Sequence, residues 1–214
     1  MTKPTNLFNK GKQKLKKHVI LLTMISLVAL LVIGCSTSND VFAPDSRLSF
    51  APVVVPAGAT IQTVTFNIYV STPNNQVINL HRITSDWDEA TVTHNSFGGA
   101  YDAAVAGSFT ADNFFWHSVD ITSLFLSWAD GTYPNHGILL DQEGIDYPMA
   151  VYHSRELTTN HAYLEVCYEL NGEIICEETE VIGDATINES RPDDNFGSIP
   201  VLYTGWLNSS ELEK

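Results

Sequence analysis

From Thr60 to Val70 apolar and polar side chains alternate. Val64, Phe66, Ile68 and Val70, led by Ile61, fall on one face, with Thr, Asn and Tyr residues opposite. Period two over this length predicts a strand with one buried face. Ser71 to Asn75 carries a Pro-Asn-Asn turn, and Gln76 to Arg82 sets Val77, Asn79 and His81 against Ile78, Leu80 and Arg82, which makes the next strand. After a strand at Phe114–Val119 the period changes. Ile121, Leu124, Phe125 and Trp128 share one helical face, Asp120 or Thr122 can cap it, and Gly131 ends it, so one short helix is predicted near 121–129. Gly137–Leu140, Met149–His153, Ala162–Tyr168 and Glu173–Val181 read as further strands. Many short strands divided by Gly, Pro and Asn clusters predict an all-β fold, an antiparallel, jelly-roll-like β-sandwich.

Asn171-Gly172 lies between two of these strands, and such a pair favours a type I′ hairpin turn. Counting outward from the turn pairs Leu170 with Glu173, Glu169 with Ile174, Tyr168 with Ile175 and Cys167 with Cys176. The cysteines then form a non-hydrogen-bonded pair, whose Cα atoms approach to about 4.5 Å. A disulfide fits that spacing, so a cross-strand Cys167–Cys176 bridge is predicted. It requires an oxidising compartment.

The amino-terminal segment points to such a compartment. A basic stretch, Lys10–His18, precedes Val19–Ile33, fifteen residues with only Thr23 and Ser26 polar. Spanning a bilayer in a helix takes about 20 apolar residues, and a short apolar run behind a basic flank is the signal-peptide pattern. The run ends Val32-Ile33-Gly34-Cys35-Ser36, which resembles the bacterial lipobox, in which the cysteine is lipidated. The organisation expected is a lipoprotein signal peptide over 1–34, a lipidated tether over 35–46 starting at Cys35, a sandwich over 47–181 and a separate segment over 182–214. An uncleaved anchor with an incidental cysteine is the competing reading. Both put the body outside the cytoplasm, lipid-anchored or membrane-anchored at the periplasmic or extracellular face.

Charge sharpens this division. The chain has 11 Lys and Arg against 25 Asp and Glu, a net charge of −14, but six lysines fall in the first seventeen residues. From Cys35 onward five basic residues face all 25 acids, giving −20. Such a body does not bind nucleic acid through its phosphates, because that requires Lys and Arg. With 44% hydrophobic and 10% aromatic residues it is not disordered.

Several blocks then line up with a known family. Pro56-Ala-Gly-Ala-Thr-Ile61, Arg82-Ile-Thr-Ser-Asp-Trp-Asp-Glu-Ala-Thr-Val-Thr-His-Asn95, Asp120-Ile-Thr through Trp128, Gly137-Ile-Leu-Leu140, His153-Ser-Arg-Glu156 and Tyr163-Leu-Glu-Val166 occur in order. Together they resemble the DNRLRE-type domain, which overlaps disaggregatase-related repeats and is grouped with carbohydrate-binding modules. The resemblance covers residues 47 to about 206. It implies that Arg47-Leu48 and Arg155-Glu156 match the family's lettered pairs, with Trp87 and Trp128 as structural motif residues. The family's opening Asp and Asn do not precede Arg47. They match Asp184-Ala-Thr-Ile187 and Asn195-Phe-Gly-Ser198 instead, and His94 stands where such domains usually carry an aromatic. Either residues 184–214 begin a truncated second repeat, or they complete the first sandwich as in a circular permutation. A truncated repeat by descent, docking on the first sandwich, is the expectation.

Enzyme signatures are missing: there is no Gly-x-Ser-x-Gly, His-Glu-x-x-His or phosphate loop. A non-catalytic polysaccharide-binding domain is therefore expected, with exposed rings stacking on sugars. Candidates are Tyr133 and Tyr147 in loops beside Pro134 and Pro148, with Trp116 and Tyr101. Arg47, Arg155 and Glu156 are expected in a structural polar pair or network, since buried arginines need a carboxylate. No cofactor is required. Calcium is the one metal raised, with Asp141, Glu143 and Asp146 as weak ligand candidates that lack EF-hand spacing. The charge favours a neutral glycan over a polyanionic one. The partners expected are a polysaccharide and the membrane, the latter through the lipid, and the protein is expected to be a monomer. The alternatives are a structural or adhesion spacer and an accessory part of a polysaccharide-degrading enzyme.

Overall fold

The computed structural model describes residues 45–142 and 148–205. Cys35 with the signal peptide, and Glu143, Asp146 and Tyr147, lie outside these residues. The strands are β1 Asp45–Phe50, β2 Thr60–Thr72, β3 Val77–Ile83, β4 Tyr101–Thr110, β5 Phe115–Asp120, β6 Ile138–Gln142, β7 Ala150–His153, β8 Tyr163–Leu170, β9 Glu173–Ile187 and β10 Val201–Thr204. Among the described residues two short helices accompany them, α1 His94–Phe97 and α2 Thr122–Ala129.

All pairings are antiparallel. Sheet A runs β9-β1-β6-β3-β4, and sheet B runs β10-β7-β2-β8-β9 with β5 on the other edge of β2. The 15-residue β9 belongs to both. Its first half pairs with β8 from Glu173 to Glu180, and its second half pairs with β1 from Val181 to Ile187. One strand thus turns from one sheet into the other. The core between them takes Leu48, Phe50, Ile78, Leu80, Ile138 and Leu140 from sheet A, and Val64, Phe66, Ile68, Val70, Tyr152, Leu164 and Val166 from sheet B. Alternation in β2 supplies four of these residues, because successive side chains point to opposite faces.

The hairpin forms in the expected register. Asn171 and Gly172 take φ of 55° and 86°, the four predicted pairs face each other, and Cys167 bonds to Cys176 with Cα atoms 4.0 Å apart. The expected helix forms over Thr122–Ala129. Asp120 Oδ1 accepts the N–H of Thr122 at 2.8 Å, while the Thr122 hydroxyl accepts the N–H of Val64 at 2.9 Å and so ties the helix to β2 instead of capping it. A second helix, α1, was not expected. Its single turn is held by a reciprocal Thr93–Ser96 capping box, too short to leave a 3.6-residue period. The strand β4 was also not expected, because Tyr-Asp-Ala-Ala-Val-Ala-Gly-Ser-Phe-Thr is rich in residues with weak strand preference. Asp45 and Ser46, assigned to the tether from sequence, begin β1 and gain partners in β9.

The tail contributes to the same sandwich. The boundary at 181/182 falls inside β9, and β10 pairs with β7 from Val201–His153 to Thr204–Ala150. Between β9 and β10 the chain runs close to the 84–100 segment. A Cβ added at Gly197 would sit 2.1 Å from the Glu89 carbonyl oxygen, so only glycine permits that approach.

Candidate functional site

The sandwich has two outer faces, and they differ. On sheet A, Arg47 lies between Leu139 and Ala185 in the register, one residue out of step with core-facing Leu48. It is fully buried, and its guanidinium carbon stands 3.2 Å from the Phe97 ring centroid. Around it Ile83, Val92, Phe97, Leu139, Ala185 and Ile187 make a second small core, with Trp87 packed on its margin. The 84–100 segment and α1 therefore act as a cover. Trp87 fastens it by donating its indole N–H to the His136 carbonyl at 2.8 Å. None of the three Arg47 nitrogens has a hydrogen-bond partner among the described residues, against the expectation of a polar network: Phe97 covers the guanidinium, and Asp45 acts on it as a nearby charge without a hydrogen bond. Burial pushes Arg47 down to about 9, opposed by Asp45; burial and then Asp141 push Asp45 up to about 8.

Arg155 and Glu156 meet in a polar network at the margin of this cover, without Arg47 and with Glu89 at its centre. Arg155 donates from Nε and Nη2 to Glu89 at 2.7 and 2.5 Å, and lies 3.5 Å from Glu156. Asp184 Oδ2 accepts the Arg155 backbone N–H at 2.8 Å, and its own N–H goes to Glu89 Oε1. Asn195 Nδ2 donates to the carbonyls of Glu89 and Val92, both at 2.7 Å. Oxygens of Glu89, Glu156 and Asp184 lie within 4.8 Å of one another, but the Arg155 guanidinium already pairs with two of these carboxylates. Burial pushes Asp184 up to about 7, partly offset by the Arg155 N–H. Asp141, the described member of the weak calcium set, faces His81 across sheet A, 3.7 Å from its Nε2.

Sheet B leaves its outer face open. β2 sends Thr65, Asn67 and Tyr69 outward, β5 lies on one edge of it and β8 on the other. Trp116 therefore sits beside Tyr69, and Tyr163 beside Asn67. The Tyr69 ring meets Trp116 edge-on at 5.6 Å, Trp116 meets Tyr163 at 5.3 Å, and His153 lies 4.6 Å from Tyr69. Trp116 is 40% exposed and Phe115 66%. Phe115 has φ of 106°, a strained conformation for a bulky residue. Its pairing with core-facing Val70 would send it inward, yet it is exposed with its ring edge-on to Tyr69 at 6.3 Å. The result is a contiguous aromatic surface whose rings meet edge to face, a favoured arrangement.

The four sequence-derived ring candidates do not come together. Trp116 belongs to the sheet B patch. Tyr101 stands on sheet A with its ring 5.3 Å from His81. Tyr133, in the loop after α2, is as exposed as Trp116 but stands apart from the patch, with the Arg82 guanidinium, which also bonds to Asp102, 3.9 Å over one face of its ring. Tyr147 lies outside the described residues. Trp128 packs against the main core beside Phe125. Sequence reasoning passed over Tyr69, Tyr163, Phe115 and His153. For Tyr69 the signal existed: it is the one ring on the polar side of an alternating strand.

Residues 31–168 match the family model of carbohydrate-binding module family 96, and the chain belongs to that family. The match ends within β8, ahead of the tail strands that complete both sheets. Comparison with curated proteins returns no match.

Proposed function

We propose that this member of carbohydrate-binding module family 96 holds a polysaccharide on the outer face of sheet B, without chemistry of its own. The observation that carries the reading is the Tyr69–Trp116–Tyr163 patch with exposed Phe115 beside it. Trp116 and Phe115 are exposed and Tyr69 and Tyr163 half-buried beside them; contiguous apolar surface left open to water marks interaction sites, and flat rings suit the apolar faces of sugars. Ser118, exposed and donating to Asn67 Oδ1 at 2.6 Å, supplies a hydroxyl beside the rings. Family membership supports both the ligand class and a binding rather than catalytic role. The Cys35 lipobox and preceding apolar run support a lipid anchor in the cell envelope, which would keep the bound polysaccharide near a membrane. The blocks Asp184–Ile187 and Asn195–Ser198 support DNRLRE-type kinship with a displaced opening strand unit, since β9 and β10 pair with strands of the preceding sandwich.

The test is affinity electrophoresis of the full chain through gels holding a panel of polysaccharides. Retardation by at least one polymer, lost in Trp116→Ala and Tyr69→Ala but kept in Tyr133→Ala, is the expected result. A folded chain that no polymer retards would favour the spacer reading.

A further inference from the structure

Resting on that reading, we propose that His153 is the specificity-determining polar contact of the sheet B platform: its Nε2 accepts a hydrogen bond from a hydroxyl of the sugar stacked on Tyr69 and Trp116. The register sets the place. Tyr69 pairs with Trp116, Val70 with Tyr152 and His153 with Val201, so Trp116, Tyr69, His153 and Val201 follow one another across β5, β2, β7 and β10. Neighbouring strands lie about 4.8 Å apart, so the line crosses about 14 Å of the outer face. Ala150 and Tyr152 are buried in the core, and alternation turns His153 outward. Its ring centre lies 4.6 Å from that of Tyr69 at an angle of 38°, nearer to parallel than Trp116 at 85°. A sugar seated on this line has the imidazole edge within reach.

The tautomer gives the nitrogen its role. Nδ1 lies 3.3 Å from the Thr159 carbonyl oxygen, which can only accept, so Nδ1 carries the hydrogen and Nε2 keeps a lone pair. Among the described residues nothing bonds to this Nε2, and unlike the buried Nε2 of His81 it is open to solvent. Nearby polar groups are committed: Asn67 gives its amide to the Thr65 carbonyl and its oxygen to Ser118, and Ser71 gives its hydroxyl to the Val151 carbonyl. Aromatic rings receive the apolar face of a sugar and leave its hydroxyls unpaired, which the His153 lone pair corrects. An imidazole also changes charge between about pH 5 and about pH 8. Protonation turns Nε2 from acceptor into donor and puts a cation beside the rings. The elements around His153 add little charge of their own. β2, β7 and β10 contain no Asp, Glu, Lys or Arg. On β5, His117 packs on Phe109 and bonds to Asp112, and Asp120 stands at the far end of the strand. In the segment after β7, Arg155 and Glu156 belong to the network around Glu89, and His161 bonds to the Leu157 carbonyl.

The experiment measures the affinity of the full chain for a soluble neutral β-glucan and for polygalacturonate, by affinity electrophoresis at about pH 8 and at about pH 5. For the neutral polymer the dissociation constant should rise about tenfold on acidification, the factor that ~1.4 kcal/mol confers. For polygalacturonate it should fall, because the imidazolium attracts a carboxylate. His153→Gln, whose amide oxygen still accepts, should stay within about threefold of the parent chain at the higher pH and lose the pH response. His153→Phe, which keeps a ring beside Tyr69 and has no acceptor, should bind the neutral polymer about tenfold more weakly at the higher pH, with no further loss on acidification. A folded His153→Phe chain that binds as tightly as its parent overturns the role of His153. So does a flat pH profile in the parent chain, or a pH response that survives His153→Gln. If binding still depends on Trp116 in any of these cases, the sheet B platform stands and only this inference fails. If a folded chain binds neither polymer, both fail.

Discussion

Arg47 and Tyr69 occupy comparable places, each on an inner strand of its sheet and each pointing away from the main core. Their fates are opposite. Arg47 is fully buried beneath Phe97, whereas Tyr69 sits in a patch where Trp116 keeps 40% of its surface exposed. Residues 84–100 account for the difference. They cross sheet A and are fastened there by the tail, through Asn195 on the carbonyls of Glu89 and Val92. The apolar outer positions of sheet A, Leu139, Ala185 and Ile187, thus serve folding. The rings of sheet B have no such cover among the described residues, and folding does not explain why Phe115 is strained to stand outward. An outer face that is covered reads as structure; one that leaves aromatic rings open to solvent reads as a surface for something else.

The strongest way to break the contrast is Gly197→Ala. Its new methyl would meet the Glu89 carbonyl at 2.1 Å, backbone that cannot step aside cheaply. A loss of about 3 kcal/mol is expected in chemical unfolding, as for overpacked sites, while Trp116→Ala on the other face should cost no more than about 1 kcal/mol. Equal losses would remove the distinction between a structural and a presenting face. Next comes Arg47. With no hydrogen bond to lose, Arg47→Met should leave stability unchanged or raise it by about 1–3 kcal/mol, and Arg47→Ala should lower it by opening a cavity under Phe97. A severe loss in Arg47→Met would show that the charge itself holds the cover.

Protons offer a gentler probe of the same side. Asp45 and Asp184 move from 3.8 in the unfolded chain to about 8 and about 7 when folded, both through burial first. The folded chain then holds protons that the unfolded chain releases, so the stability these two groups contribute is fully present below about pH 4 and is lost as pH rises through 7 and 8. Melting temperature should fall between pH 5 and pH 8, and Asp184→Asn should flatten the slope. A melting temperature that rises over that window contradicts the burial of these groups. The smallest effect is expected at Phe115. Glycine tolerates φ of 106°, so Phe115→Gly should be more stable than Phe115→Ala by about 1 kcal/mol, while both weaken glycan binding.

What the sequence disclosed followed from locality. The Asn171-Gly172 turn fixes its neighbours by counting, so the Cys167–Cys176 pair was readable. The alternation of β2 named its core residues and set Tyr69 opposite them. The patch was not readable, because it joins β5, β2 and β8, and β2 lies between neighbours distant in the chain rather than beside β3. Trp116 was therefore a candidate without its companions. Tyr133 was chosen for its loop beside Pro134, a criterion that cannot see Arg82 lying over the ring. The strand β4 escaped because its alanines and glycine carry little pattern, and the open end of Arg47 was filled by a phenylalanine fifty residues away rather than by a carboxylate.

The most direct measurement follows the tryptophan indole N–H resonances of the full chain, assigned by single Trp→Phe variants, as a bound oligosaccharide is titrated in. The Trp116 signal should shift with saturation, while those of Trp87, bonded to His136, and Trp128, packed beside Phe125, should hold still. A shift at Trp87 with Trp116 unmoved would place the ligand on the covered face and contradict the account.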